Sequence, residues 1–317
     1  MKKLALALMI LISPCFLCLA TVMDTKTDDV PCLPGAWLLL GYPPHSLFLT
    51  SQGKTQNLNG DGLGDDLVSP SISTDGKVIA SAHRIAGDAF PRSPRLVIST
   101  YSVTDKKWTD YKDLEIRGGS VAISADGTKL VCNTQKTPTA PSGARILDLK
   151  TGEITPLPKI PEHASSFSWS PDGQRISFDA PIAPEIELGR AVYVLNIQAG
   201  TATKIAEGMA PSWSPSGERI AYIGNPNRQE QRMAVNEYHV SRIRPDGTDA
   251  QVLMEFRSDV LPDLKPVWSP DSAALLINVS RNADKDTFDA ELIDSATLKV
   301  TKKFKNAPPI FGWVRAD

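Results

Sequence analysis

One six-residue phrase returns along this chain at regular intervals, and that recurrence limits the fold more than any other feature. The copies are Ser71-Ile72-Ser73-Thr74-Asp75-Gly76, Ala122-Ile123-Ser124-Ala125-Asp126-Gly127, Ser168-Trp169-Ser170-Pro171-Asp172-Gly173, Ser212-Trp213-Ser214-Pro215-Ser216-Gly217 and Val267-Trp268-Ser269-Pro270-Asp271-Ser272. A sixth starts at Gly312-Trp313-Val314 and ends with the chain at Asp317. The aligned apolar positions 72, 123, 169, 213, 268 and 313 are separated by 51, 46, 44, 55 and 45 residues. Four short strands with their turns occupy roughly 40–50 residues, which is one blade of a propeller.

Each unit divides in the same way. A short strand ends at the Ile or Trp, and Asp-Gly or Ser-Gly makes a tight reversal, since glycine accepts positive φ at no steric cost. A second strand follows, as at 77–81, 129–133, 175–179, 219–223 and 274–279. A loop then leads to a third strand, as at 95–101, 144–149, 191–197, 238–243 and 290–294. A turn such as Lys150-Thr151-Gly152-Glu153 brings in the fourth, as at 154–157 and 251–254. The second and third strands are rich in Ile, Val, Leu and Tyr, as expected of sheets packed on both faces.

The run Trp-Ser-Pro-Asp-Gly, followed by Arg175-Ile176-Ser177-Phe178 and then by residues 192–205, resembles the TolB-type (WD40-like) propeller repeat. The resemblance covers residues 35–317 and implies an all-β, six-bladed β-propeller. Counting units leads to the same number. Five are complete, and the sixth has only its first strand, around 310–314. Its remaining strands are predicted at 36–41, 45–50 and 55–58, so that both termini share one blade and no open edge is left. The repeat phrase itself is expected to be structural, with Trp packing between blades and Ser, Asp and Gly shaping the turn.

Residues 1–20 read as a signal peptide: Lys2 and Lys3, an apolar run over 4–12, Pro14, and small residues at Cys18 and Ala20. The run is shorter than the ~20 residues of a spanning helix, so no transmembrane span is expected after cleavage. Alternatives are an uncleaved anchor, or a lipoprotein through Cys15 or Cys18, although Pro14 and Leu17 stand where small residues are wanted. Residues 21–34 form a lead-in, and the expected location is periplasmic or secreted. Cys32 and Cys132 have no spacing logic and are expected to be unpaired thiols. A net charge of −2 argues against nucleic acid as partner.

Blade topology sorts the loops. The turns between strands one and two, and three and four, open on one face and are all tight. The opposite face carries the long segments 83–94, 134–143, 180–189, 224–236 and 280–287. Function concentrates on long loops held by a rigid scaffold, so a binding site is expected on this second face at the channel mouth. The candidates there are His83, Arg84, Arg95, His163, Arg190, Arg228, Arg232, His239 and Arg281. Mixed charge, with Asp88, Glu185, Glu187 and Glu230 among them, suits a protein partner. A metal site would require several of His45, His83, His163, His239, Asp88 and Asp179 to converge.

One segment has metal chemistry of its own. Asn57, Asn59, Asp61, Leu63 (through its carbonyl) and Asp65 resemble a calcium loop of the FG-GAP or EF-hand kind. It departs from that pattern at Asn57, where Asp is usual, and at Val68, where an EF-hand has Glu. It also reads as an ordinary Asn/Gly/Asp-rich link. No other cofactor is expected.

No Gly-x-Ser-x-Gly elbow is present, so the propeller–hydrolase arrangement of prolyl-oligopeptidase-like enzymes is not supported. The resemblance implies a non-catalytic, monomeric module that binds an envelope or secreted protein. Members of the family carry a further N-terminal domain, for which 21–34 leaves no room, so no partner-contacting residues are carried over. The alternative is a propeller enzyme or ligand-binding protein, of lyase, glycosidase, glycan-binding or metal-binding type, with its site at the channel mouth.

Overall fold

The computed structural model describes residue 33 and residues 36–42, 46–51, 54–58, 67–84, 95–117, 120–134, 143–157, 160–182, 189–224, 236–258, 265–282 and 287–315. These residues form six four-stranded antiparallel sheets. Residues 1–20, read as a targeting segment, and most of 21–34 lie outside them, as do Cys32 and His45.

Five blades are continuous in sequence. The second consists of β4 (Leu67–Ile72), β5 (Val78–Arg84), β6 (Arg95–Ser102) and β7 (Lys107–Arg117). The third consists of β8 (Val121–Ile123), β9 (Lys129–Thr134), β10 (Gly143–Asp148) and β11 (Ile154–Leu157). The fourth has β12 (Ser165–Trp169), β13 (Arg175–Pro181), β14 (Arg190–Asn196) and β15 (Thr201–Glu207). The fifth has β16 (Met209–Trp213), β17 (Ile220–Gly224), β18 (Asn236–Ile243) and β19 (Gln251–Ser258). The sixth has β20 (Val267–Trp268), β21 (Ala274–Asn282), β22 (Thr287–Asp294) and β23 (Lys299–Ala307).

The first blade is the clasp. Its order is β24 (Ile310–Arg315), β1 (Ala36–Tyr42), β2 (Ser46–Ser51) and β3 (Lys54–Asn57). Trp37 pairs with Val314 and Leu38 with Trp313, so the last strand and the first share one ladder. The six-fold closure predicted from the repeat is the closure observed.

The repeat phrase makes the same turn in successive blades. Ser73 Oγ donates to Asp75 at 2.6 Å and accepts the Val78 N–H at 3.0 Å, while Lys77 N–H reaches Asp75 at 3.0 Å. Ser124/Asp126, Ser170/Asp172 and Ser269/Asp271 repeat that pattern. Glycine at φ near +70° completes it at Gly76 and Gly127, whereas Ser272 holds the same conformation at φ 62 without glycine's freedom.

Period-two alternation turns each sheet's two apolar faces towards its neighbours. Ala80, Ala82 and Ile98 of the second blade meet Val121, Ile123 and Leu130 of the third. Phe167, Trp169 and Phe178 of the fourth meet Ala122, Val131 and Ile146. Leu38, Leu40 and Ile310 of the clasp meet Val267, Leu276 and Phe304 of the sixth. The core is therefore a ring of interblade clusters, with the first strand of every blade innermost.

Candidate functional site

The innermost strands enclose a central cavity of about 510 Å³. The repeat decides its lining. Three positions before the aligned Ile or Trp stand Ser69, Ser120, Ser166, Ala210, Lys265 and Ile310, and one position before it stand Ser71, Ala122, Ser168, Ser212, Val267 and Gly312. Small residues are needed where six strands converge on one axis. Ser69, Ser166 and Ala210 adopt left-handed φ of 50°, 53° and 53°, beside register shifts in β4, β12 and β16. A bulge at these points re-aims the strand end towards the channel.

Interblade hydrogen bonds fix the inner ring. Ser71 Oγ accepts the Ile123 N–H at 3.0 Å, Ser120 Oγ that of Phe167 at 3.2 Å, and Ser168 Oγ that of Trp213 at 3.1 Å. Indole donors do the same for their neighbours: Trp169 Nε1 reaches the Ala122 carbonyl and Trp268 Nε1 the Ser212 carbonyl, both at 3.0 Å. Trp213 breaks the pattern, because its buried Nε1–H has no hydrogen-bond partner among the described residues. The Arg175 guanidinium lies 4.7 Å from its ring centre instead.

A buried ionic cluster lies where the fourth and fifth blades meet, at the long-loop end of the strands. The Asp179 side chain is 2% exposed. Its Oδ1 accepts from Ser165 Oγ at 2.9 Å and from Arg190 Nε at 2.6 Å, and Arg190 Nη2 closes a second contact to it. Its Oδ2 accepts the Ala210 N–H at 2.7 Å from the next blade. Arg190 Nη2 also reaches Ser165 Oγ at 2.6 Å and the carbonyls of Asp179 and His163 at 3.0 and 3.1 Å. Asp179 thus has both oxygens filled: Oδ1 pairs with Arg190 within the fourth blade, and Oδ2 ties that blade to the fifth through the Ala210 N–H.

Lys265 enters from the sixth blade, immediately before β20. Its side chain extends into the cavity, and its Nζ donates to the Phe167 carbonyl of β12. Removal from bulk water pulls the ammonium down to about 8, and the Asp179 carboxylate pulls the other way. Since the folded value is below the ordinary 10.5, the unfolded chain holds this proton more tightly, and native stability gains as pH rises through that window. Lys265→Met is accordingly expected to be more stable than the parent near neutral pH, with the gap narrowing between about 8 and 10.5. Urea unfolding on either side of the window measures it, and a gap that does not change with pH contradicts it.

The remaining sequence candidates are dispersed. His83, on β5, contacts Ser99 Oγ through Nδ1 at 3.0 Å, and Ser99 donates to Asp110 at 2.7 Å. The Ser99 proton is directed at Asp110, and Ser99 is fully buried, so this chain of contacts orients the imidazole and does not arm a nucleophile. Burial lowers the His83 pKa against the pull of Asp110. His239, on β18, folds over Gly224, where a Cβ would fall 2.1 Å from the imidazole Nε2. Burial lowers its pKa too, against Glu255. His163 is exposed, at φ 56, and joins the cluster through its backbone. Arg84, Arg95 and Arg281 sit on β5, β6 and β21 at strand ends next to the long loops. Arg228 and Arg232 lie outside the described residues, as do Asn59, Asp61, Leu63 and Asp65. Asn57 ends β3 and is exposed. Among the described residues no three of His, Cys, Asp and Glu come together to hold a metal. Cys132 is a free, buried thiol, pushed up to about 12 by its apolar surroundings.

Comparison with known structures places this ring in context. TolB from Acinetobacter baumannii superposes with a TM-score of 0.64 at 15% identity, covering 88% of this chain and 66% of that one. The likeness is one of fold: both are β-propellers, and this one has six blades. The same ring is found in a nidogen/laminin complex (TM-score 0.60, 8% identity, 88% of this chain and 98% of that one). It is found again in an oligogalacturonate lyase in complex with manganese (TM-score 0.54, 13% identity, 90% and 77%). In sequence, 165 residues are 23% identical to dipeptidyl-peptidase 5 of Porphyromonas gingivalis, over 49% of this chain and 23% of that enzyme. The chain therefore spans less than a quarter of the peptidase and just under two thirds of the Acinetobacter protein. No family model matches the sequence.

Lys265 is the cavity-lining cation that motif reading passes over. Its signal lies in the stacked repeats: at the position three before the aligned residue it is the one ionisable side chain among serines, alanine and isoleucine.

Proposed function

We propose that this TolB-like propeller is an exported, non-catalytic interaction module of the cell envelope, periplasmic or secreted, that docks a protein partner on its long-loop face. The Asp179–Arg190–Ser165 cluster carries this reading. Its charged groups are spent on each other and on the neighbouring blade, which makes a rigid platform of the channel mouth and leaves the long loops to supply recognition. The described imidazoles fit the same role, since both His83 and His239 are shifted towards the neutral form. No helix among the described residues is long and apolar enough to cross a membrane.

The test is affinity capture from envelope extract with the intact protein and with an Arg228→Glu/Arg232→Glu variant. A specific partner lost in the variant, with unchanged thermal unfolding, supports the reading. Elimination or hydrolysis of a glycan, or release of dipeptides, by the purified protein overturns it in favour of a propeller enzyme. Calcium on Asn57, Asn59, Asp61, Leu63 and Asp65 would brace the link between the first and second blades. Calorimetry with and without chelator tests that part separately.

A further inference from the structure

The central channel carries a charge and a set of hydrogen-bond donors that the ring itself does not use. Lys265 has three N–H groups, and one is taken by the Phe167 carbonyl. The other two meet no described acceptor. The nearby acid does not cancel its charge, because Asp179 is already paired with Arg190 and bonded to Ser165 and the Ala210 N–H. Arg190 balances Asp179, and Lys265 is left as a surplus cation. Among the described residues lining the cavity it is the sole ionisable side chain, and none is acidic.

The hydroxyls around it are oriented in a compatible way. Ser71, Ser120 and Ser168 each spend a lone pair on a backbone N–H of the next blade. A hydroxyl that accepts still has its own proton to give, and no described acceptor takes it at any of the three. A space with one cation, several idle donors and no acid is complementary to an anion. At about 510 Å³ it is within the ordinary range for a small-molecule pocket.

We propose that the channel is a binding site for a monocarboxylate, seated on the Lys265 ammonium with serine hydroxyls completing its shell. One surplus positive charge matches one negative charge. A dianion such as phosphate would leave a charge uncompensated against Pro70, Phe167 and Val267, which is costly away from water. A short hydroxylated acid suits the hydroxyl-lined wall best. The same chemistry is offered by the C-terminal carboxylate of a peptide, and the test separates the two sources. The proposal stands apart from protein docking on the outer face: heat from a small acid and capture of a partner are independent readouts.

The experiment is isothermal calorimetry on the full chain with gluconate, with uncharged sorbitol, with inorganic phosphate, and with tetra-alanine carrying a free or an amidated C-terminus. Gluconate is expected to bind and sorbitol to give no heat, with phosphate weaker than gluconate. Tetra-alanine binding only in its free-acid form assigns the site to chain ends, whereas gluconate alone assigns it to free acids. In Lys265→Met the affinity should fall at least about tenfold, as loss of a charge-assisted hydrogen bond implies. Wild-type affinity should also fall as pH rises through about 8, where the ammonium discharges; Asp179 on β13 and Arg190 on β14 are the charged groups behind it. This second measurement does not depend on the variant folding. Sorbitol binding as well as gluconate, an unchanged affinity in Lys265→Met, affinity indifferent to pH across that window, or no heat from any carboxylate overturns the proposal.

Discussion

Deleting residues 310–317 is expected to produce a chain that aggregates, and not one that simply melts a few degrees lower. β24 is the innermost strand of the clasp blade, and both its strand partner β1 and the second-blade strand β4 beside it are distant in sequence. It pairs with β1 from Ala36↔Arg315 to Leu40↔Ile310, and the Pro309 carbonyl just before it accepts the Gly41 N–H at 2.9 Å. On one side Asn278 of the sixth blade bridges both backbone groups of Ile310, at 3.1 and 3.2 Å. On the other side Gly312 lies against the second blade so closely that a Cβ there would fall 2.4 Å from Ile72 Cγ2. Ile310 and Val314 are 0% and 4% exposed. Burying two such side chains contributes about 1.5–3 kcal/mol each, against a total stability of about 5–15 kcal/mol for a typical domain. Deletion also exposes the inner edge of β1, a row of unpaired backbone groups that invites another chain. Size-exclusion chromatography and thermal unfolding of the truncated protein decide the matter. A monomer with unchanged melting would show that the ring does not depend on its clasp. A single Trp313→Ala change should cost less than the deletion, because Trp313 is only partly buried, and the completely buried anchors are its neighbours in the strand.

Most of this architecture was legible in the sequence because each blade repeats one turn. The hydrogen bonds of Ser170, Asp172 and Gly173 are local, so the phrase marks the turn wherever it appears, and the fourth strand predicted at 154–157 is β11 to the residue. Strand ends were less legible where the turn chemistry was weaker. β5 runs to Arg84, beyond the predicted 81, and β19 runs to Ser258, beyond the predicted 254. Pairing with a neighbouring strand, and not local propensity, sets those ends. The channel chemistry could not be read as a motif at all. Asp179 and Arg190 meet through the pairing of β13 with β14, and Lys265 reaches this blade only because blades four and six converge on one axis. Stacking the repeats exposes Lys265 as the odd residue in its column, but the partners of its neighbour Asp179, a backbone N–H of the next blade among them, exist only once the ring is closed.

The second large effect is expected at that junction. Asp179→Ala should cost about 3–5 kcal/mol, the range for removing one partner of a buried ion pair. The carboxylate is the common acceptor for Ser165, Arg190 and the Ala210 N–H. Its loss leaves a largely buried guanidinium without its counter-ion and a buried backbone donor without an acceptor. Lys265, across the channel mouth, loses the one carboxylate that favours its charged form. Asp179→Asn retains the shape and one oxygen acceptor but not the charge, so it should fall between parent and alanine variant. The decisive comparison is Asp179→Leu combined with Arg190→Met. A well-packed apolar pair often matches a buried ion pair in stability, so the double change should recover most of what Asp179→Leu alone loses. Chemical denaturation of the parent, Asp179→Leu, Arg190→Met and the double variant measures this as a coupling energy. If the double variant were no more stable than Asp179→Leu, the cost would lie in the lost Ala210 N–H bond between the fourth and fifth blades, and not in the ion pair within the fourth.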